Sequence, residues 1–210
     1  VRRVLAMLAA EGLHLRFAKC HWFCRHVRFL GHVVGEGTLR PDPNKVTTIT
    51  NWTDTDFKSV TDVRSFLGLA NFYRSYIPDY SGTAQPLFQL TKANATFKWT
   101  PACSTAVATL QRHLTSEPVL RQPDFALPFT ISVDACDTAM GSVLHQDFDD
   151  GVHPVEFYSS SFSETEQRYA ARDKEALALI KAVRHFRYHL WGSPFRVRLF
   201  TDHQSLQHLT

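Results

Sequence analysis

The chain has 210 residues, of which 44% are hydrophobic and 20% are charged, and its formal net charge at pH 7 is +3. This composition is typical of a folded globular protein and excludes an intrinsically disordered chain. The small positive charge permits nucleic-acid binding but does not require it. No apolar run approaches the roughly eighteen residues of a membrane-spanning helix, and the apolar stretch near the N-terminus is too short for a signal peptide. We therefore predict no membrane partner and no targeting signal.

The four cysteines, Cys20, Cys24, Cys103 and Cys136, do not form the dense pattern of a disulfide framework. They favour a reducing, intracellular setting. Histidines close to Cys20 and Cys24 raise the alternative of a zinc site, but the ligand spacing is not a standard one. Residues in this segment alternate as in a strand, so we predict no zinc site there.

The first half of the chain is predicted to be a short mixed segment followed by a mostly helical block. Apolar periodicity and turn residues predict a helix over 1–15, strands over 15–20 and 27–34, a turn at 35–37, a helix from 43, and helices over 60–77 and 102–114. Asp42 followed by Pro43 is a good helix start, because the carboxylate can cap the first backbone N–H groups. Pro78 is expected to end the helix over 60–77.

Prolines at 118, 123 and 128 mark a change of character, and we predict a domain boundary near 118–124. The elements after it are strands over 127–134, 140–146 and 153–159, a long helix over 164–191 and a strand over 195–202. Ser163 and Glu166 have the spacing of a capping box, which predicts that the long helix begins there. The whole order of elements predicts a mixed α/β (α+β) fold.

Three carboxylates occupy positions from which they could share one site. Asp134 ends a predicted strand in which apolar and polar residues alternate, and Asp202 ends the last predicted strand. Glu175 lies at the margin of the apolar side of the long helix. Two strands that end in Asp at one sheet edge, crossed by a helix with an inward Glu, can converge on one point. Crowded carboxylates repel one another, and hard divalent cations relieve that repulsion.

Each of these carboxylates also has an ordinary structural interpretation. Asp134 could be solvated at a strand-to-turn corner, Glu175 could pair with a cation on its own helix, and Asp202 could begin a turn. Taken together, the three positions favour a two-metal site, which can activate water and stabilise the leaving oxygen in phosphodiester cleavage.

The motifs around the carboxylates resemble the RNase H domain of gypsy-type LTR-retrotransposon Pol polyproteins. The matching segments are 133–135, 141–146, 158–163, 166–169, 174–178 and 199–206. The first half of the chain resembles the end of the reverse-transcriptase palm and the thumb, in segments 19–23, 27–32, 41–46, 64–74, 86–90 and 97–99. The resemblance covers essentially the whole chain in the family's order.

The resemblance implies three regions along the chain. They are the end of the palm, with a remnant hairpin, over 1–42, a helical thumb over 43–123, and an RNase H-like domain, truncated at its C-terminus, over 124–210. This last region would be an incomplete mixed sheet with one long helix. The Asp pair of the polymerase would be expected before Val1, and the fourth RNase H carboxylate after Thr210.

The resemblance also implies particular site residues. Asp134, Glu175 and Asp202 would be catalytic and would bind two Mg²⁺ ions. Phe29, Leu30, Gly31 and His32 would lie in the hairpin that holds the primer terminus. A thumb helix bearing Arg64 and Arg74 would follow the hybrid backbone, although both arginines could equally be solubilising surface residues.

The implied function is two-metal hydrolysis of the RNA strand of RNA–DNA hybrids, in the context of RNA-directed DNA polymerisation. The implied partners are the hybrid and the remainder of the Pol polyprotein, in a cytoplasmic virus-like particle or in the nucleus. We expect the fragment alone to be weak or inactive. The alternatives are an inactive relic that binds nucleic acid or protein, and a non-functional fragment. The sequence contains no pattern that indicates an oligomeric state.

Overall fold

The computed structural model describes residues 1–116 and 119–201. Within them, seven helices of the α type and two four-stranded sheets form a mixed α/β fold, which confirms the predicted fold class. No helix in the described part of the chain is long and apolar enough to cross a membrane.

The N-terminal helix, α1 (Arg2–Ala10), is shorter than the sequence predicts. It ends before Gly12, whose positive φ of 70° turns the chain out of the helix. The strand predicted over 15–20 is wrong, because this segment pairs with no strand and forms a short 3-10 turn, Phe17–Lys19.

The first sheet is an antiparallel meander completed by a short distant strand. Its strands are β1 (His26–Phe29), β2 (His32–Gly35), β3 (Thr38–Pro41) and β4 (Leu120–Arg121), in the order β1-β2-β3-β4. The single strand predicted over 27–34 is two strands, because Leu30 and Gly31 both take positive φ values, 49° and 82°. Two such residues make the tight turn that suits a two-residue hairpin.

Five helices form the central block of the chain. They are α2 (Pro43–Thr50), α3 (Val60–Phe72), α4 (Tyr80–Thr83), α5 (Gln85–Leu90) and α6 (Pro101–Thr115). The predicted cap of α2 is present, since the backbone N–H of Asn44 donates to Asp42 Oδ1 over 3.0 Å. The helix predicted to reach 77 ends at Phe72. Ile77 is extended, as expected for a residue that precedes proline, and a 3-10 turn joins it to α3.

The second sheet and one long helix make up the C-terminal part. Its strands are β5 (Thr130–Ala135), β6 (Ala139–Phe148), β7 (Gly151–Ser161) and β8 (Arg198–Thr201), in the order β7-β6-β5-β8. Adjacent strands are antiparallel except β5 and β8, which are parallel. The helix α7 (Ala171–Leu190) lies against this sheet.

The long helix begins later than its capping signal predicts. Ser163 and Glu166 do form the reciprocal bonds of a capping box, with lengths of 2.8 and 3.3 Å. They cap only the 3-10 turn Glu166–Arg168, because Tyr169 and Ala170 then take extended conformations. A local cap therefore fixes where a helical turn begins but not how far it continues.

Two apolar cores hold these layers together. One lies among α2, α3, α5 and α6, and the other lies between α7 and one face of the second sheet. In the second core Ile131 and Val133 of β5 pack with Ala178 and Ala182 of α7, as the predicted alternation of β5 requires.

The division of the chain into three regions, with boundaries between residues 42 and 43 and between residues 123 and 124, stays a proposal. β4, although placed in the middle region, pairs with β3 of the first.

Candidate active site and nucleic-acid interface

The end of β5 carries the first predicted catalytic carboxylate. β5 and β8 run parallel, and Val133 is the Cα partner of Thr201. Asp134 follows Val133 within β5, and its side chain is exposed. Asp202, the third predicted carboxylate, lies outside the described residues.

The second predicted carboxylate reaches the same edge of the sheet from α7. Glu175 is only 5% exposed, in the second turn of the helix. The Thr201 hydroxyl donates to Glu175 Oε2 over 3.4 Å. Because Thr201 is paired with Val133, Glu175 lies beside the strand end that carries Asp134.

The two carboxylates approach this edge from different sides. Ile131 and Val133 face α7, and successive residues of a strand point to opposite faces. Asp134 therefore leaves the sheet on the face away from α7, whereas Glu175 comes from the helix side. A ligand that touches both must bind at the edge of the sheet, at the end of β5.

An ion pair beside this edge fixes the start of α7. Lys174 Nζ lies 2.8 Å from Asp137 Oδ1, and Lys174 is buried whereas Asp137 is 96% exposed at its side chain. The hydrogen bond from Lys174, together with its charge, lowers the pKa of Asp137. The pair ties the β5–β6 turn to the helix that carries Glu175. No sequence signal links Asp137 with Lys174, because the two residues lie in different elements, 37 positions apart.

A further carboxylate comes from the helical block. Asp79 caps α4 through the backbone N–H of Gly82, at 3.1 Å, and takes a positive φ of 44°. It lines the same cavity of about 250 Å³ as Asp134. Burial raises the pKa of Asp79 and the negative charge of Asp134 adds to that effect, while the bond from Gly82 opposes it. No sequence signal links Asp79 with Asp134, because they are far apart along the chain.

The side chains at this edge are of the type that binds Mg²⁺. Asp134 and Glu175 supply the hard carboxylate oxygens that Mg²⁺ prefers. Among residues 1–116 and 119–201, no three His, Cys, Asp or Glu side chains come close enough together to hold a metal ion. Asp134 and Glu175 are two of the three predicted ligands, and the third, Asp202, is not among the described residues.

The predicted primer-holding residues lie at the tip of the β1–β2 hairpin. Phe29 and Leu30 are 60% and 75% exposed, as suits residues that contact a large ligand. The Tyr73 hydroxyl donates to the Gly31 carbonyl oxygen over 2.6 Å, which ties the tip to the residue that follows α3. His32 packs inward, where its Nδ1 lies 2.9 Å from the Tyr76 hydroxyl.

The inward position of His32 makes it a packing residue of the hairpin. Its ring stacks on Phe72 at 5.3 Å and on Tyr76 at 5.8 Å between centroids. Burial lowers the pKa of His32, which favours the neutral ring. The exposed part of the tip is therefore Phe29 and Leu30.

Replacing Gly31 with Ala should loosen the hairpin tip. The new Cβ would lie 2.9 Å from the Phe72 ring, and the positive φ would be strained as well. We expect a loss of about 2 kcal/mol in the free energy of unfolding, measured by urea denaturation. Gly37→Ala is the matched control, since its φ is also positive but its nearest neighbour is 3.9 Å away. Equal losses in the two variants would show that Phe72 does not confine the tip.

The two predicted thumb arginines do not share one helix. Arg64 lies on α3, and its Nη2 donates to the Thr91 carbonyl oxygen over 3.2 Å. Arg74 lies beyond the end of α3, in the 3-10 turn Arg74–Tyr76. The placement of both on a single helix is therefore wrong, because the chain leaves the α-helix before Pro78.

The class of protein follows from comparison with known proteins. Residues 99–197 match the family described as the RNase H-like domain found in reverse transcriptase. The chain is also similar to the Tf2-3 and Tf2-4 transposon polyproteins of Schizosaccharomyces pombe, with 34% identity over 98% of its length. The resemblance to LTR-retrotransposon Pol polyproteins is thereby confirmed. The chain spans 15% of the length of these relatives.

Solved structures of foamy viral proteins share the fold. A foamy viral protease-reverse transcriptase, termed dRH, in complex with double-stranded DNA has a TM-score of 0.78 and 23% identity, covering 97% of this chain and 36% of that one. A foamy viral protease-reverse transcriptase in complex with an RNA/DNA hybrid also has a TM-score of 0.78, with 22% identity. The match covers 98% of this chain and 28% of the foamy viral chain. At this identity the likeness shows the fold.

Proposed function

We propose that this chain is the part of a retrotransposon Pol protein that spans the end of the reverse transcriptase and its RNase H region. The region over 124–210 would hydrolyse the RNA strand of RNA–DNA hybrids. The regions over 1–42 and 43–123 would be the end of the palm and the thumb. The remainder of the Pol polyprotein would be its partner, in a cytoplasmic virus-like particle or in the nucleus.

One observation carries the nuclease proposal. Glu175 accepts a hydrogen bond from Thr201, and Thr201 is paired with Val133, the residue before Asp134. A buried helix carboxylate and an exposed strand-end carboxylate thus flank one sheet edge. Such an arrangement is costly for a structural purpose alone, because neighbouring carboxylates repel and a buried one loses hydration.

Each residue at the edge has a separate task in the proposed chemistry. Asp134, Glu175 and Asp202 would hold two Mg²⁺ ions, which when bound supply an activated water and stabilise the leaving oxygen. The Thr201 hydroxyl orients Glu175, and the pair Lys174–Asp137 fixes the helix from which Glu175 projects. The exposure of Asp134 leaves the edge open to a phosphodiester.

The proposed substrate is a hybrid held along the helical block. The exposed Phe29 and Leu30 would contact the primer terminus, with Gly31 and His32 shaping the tip. Arg64 and Arg74 would contact backbone phosphates. Complexes of foamy viral proteins with an RNA/DNA hybrid and with double-stranded DNA support this type of ligand.

The test is a substrate panel with the chain expressed together with its flanking Pol sequence. We expect cleavage of the RNA strand of a hybrid in the presence of Mg²⁺, and no cleavage of the same RNA alone, of double-stranded DNA or of the hybrid with EDTA. An absence of Mg²⁺-dependent hybrid cleavage would contradict the proposal. Salt-sensitive hybrid binding without cleavage would then favour the alternative of a binding relic.

A further inference from the structure

A cavity of about 500 Å³ lies where the helical block meets the outer strand of the second sheet. One wall comes from the end of α3, from α4 and from α5, and the other from β7 and α7. The polar lining comprises Asn71, Arg74, Ser81, the strand segment 159–161 and His185. The volume is within the usual range of small-ligand sites.

The chemistry of the lining suits an anion. The polar side chains at the wall are a guanidinium, an amide, an imidazole and several hydroxyls, and none of the lining residues is acidic. Hydroxyls, amides and guanidinium groups are the usual donors to phosphate oxygens. The nearest carboxylate behind His185 is Glu156, whose two oxygens already accept from His185 and His189 at 2.9 and 3.1 Å.

Arg74 supplies the positive charge at the cavity. Within residues 1–116 and 119–201 no carboxylate lies within ion-pair distance of Arg74, and its side chain is exposed. Arg74 and Tyr80 line the same cavity. Burial raises the pKa of Tyr80 to about 12, while the charge of Arg74 acts to lower it. The cation is therefore held at the cavity but not neutralised by a carboxylate there.

The hydroxyls are held in place by a contact between the two walls. The backbone N–H of Ser81 donates to Ser159 Oγ over 2.8 Å, and Ser159 Oγ donates to Ser81 Oγ over 3.1 Å. This chain of bonds leaves the Ser81 hydroxyl hydrogen free to point to another acceptor.

We propose that this cavity binds a phosphate group, with Arg74 as the charged donor and the Ser81–Ser159 pair as neutral donors. The site needs no metal and none of the carboxylates at the end of β5. It goes beyond the proposed nuclease, and it deepens the proposed role of Arg74 by giving the phosphate a defined place. The phosphate could belong to a nucleic-acid backbone or be the free ion.

The test is a titration of the 210-residue chain with inorganic phosphate in EDTA, at an ionic strength held constant with chloride and followed by calorimetry. We expect saturable binding of one phosphate per chain. Arg74→Gln should weaken it by at least about tenfold, because a charge-assisted hydrogen bond is lost. Ser81→Ala should weaken it less. The exposed Arg112, on α6 and away from the cavity, provides the matched control Arg112→Gln, which should bind as the wild type does.

A competition with a short RNA–DNA hybrid identifies the source of the phosphate. Displacement of phosphate by the hybrid would assign the site to a backbone phosphate, and simultaneous binding of both would assign it to the free ion. The proposal is overturned if the wild type shows no saturable binding or if Arg74→Gln binds phosphate as tightly as Arg112→Gln does. Because EDTA is present, these results are independent of nuclease activity.

Discussion

Asp134→Asn should reduce Mg²⁺-dependent cleavage of the hybrid by at least about 100-fold, since metal-ion catalysis supplies several kcal/mol of transition-state stabilisation. The amide keeps the size of the side chain but removes the negative charge at the end of β5. Asp134 is exposed, so the fold should tolerate the change. Glu175→Gln should have a similar effect on cleavage. The measurement is the single-turnover rate on a labelled hybrid.

Asp149→Asn is the matched control for this prediction. Asp149 lies in the exposed turn between β6 and β7, at the other end of β6 from Gly141, which is the partner of Asp134. Its cleavage rate should equal that of the wild type. Unchanged hybrid binding by Asp134→Asn would show that the loss is chemical. A variant that still cleaves as fast as Asp149→Asn would exclude Asp134 from the active site.

Glu156→Gln should lower the free energy of unfolding by roughly 3 kcal/mol at pH 7. Glu156 projects from β7 toward α7, where its oxygens bond His185 and His189. Burial alone would raise the pKa of Glu156, but the bonds and charges of the two histidines outweigh it and lower the pKa to about 2. The amide of the variant carries no negative charge. The charge-assisted hydrogen bonds from β7 to the two histidines of α7 should therefore be lost.

The effect of Glu156→Gln should depend on pH in one direction. The folded-state pKa is below the ordinary value of 4.5, so the stabilisation is fully present above about pH 4.5 and is lost as the pH falls toward 2. Urea denaturation at several pH values should show the difference between wild type and variant shrinking over that window. The exposed Glu164 provides the control, Glu164→Gln, whose effect should be small. A difference that stays constant from pH 6 to pH 3 would contradict the assignment.

The parts of the fold that follow from short-range rules were predictable from the sequence. The alternation of apolar residues over 129–133 gave β5 and its buried face, and Asp42 with Pro43 gave the start of α2. The same alternation placed Asp134 at a strand end, and the apolar face of α7 placed Glu175 near the sheet. Family resemblance then joined these positions into one candidate site.

The parts that depend on distant contacts were not predictable. The hairpin turn at Leu30 and Gly31 needs a positive φ at a leucine. The bond from Tyr73, at the C-terminal end of α3, to Gly31 supports this turn. β4 has only two residues, and its pairing with β3 decides that it is a strand at all. The closeness of Asp79 to Asp134 arises from the packing of α4 on the second sheet, which no local pattern encodes.

We propose that Asp134 and Glu175 bind the same metal ions at one edge of the second sheet. A titration with paramagnetic Mn²⁺, followed by NMR of backbone amides, would detect this shared binding. We predict that the signals of Ala135, Glu175 and Thr201 broaden together in the wild type, and that none of them broadens at the same Mn²⁺ concentration in the double variant Asp134→Asn, Glu175→Gln. Broadening confined to the turn at Asp149 and Asp150, or unchanged in the double variant, would contradict the claim.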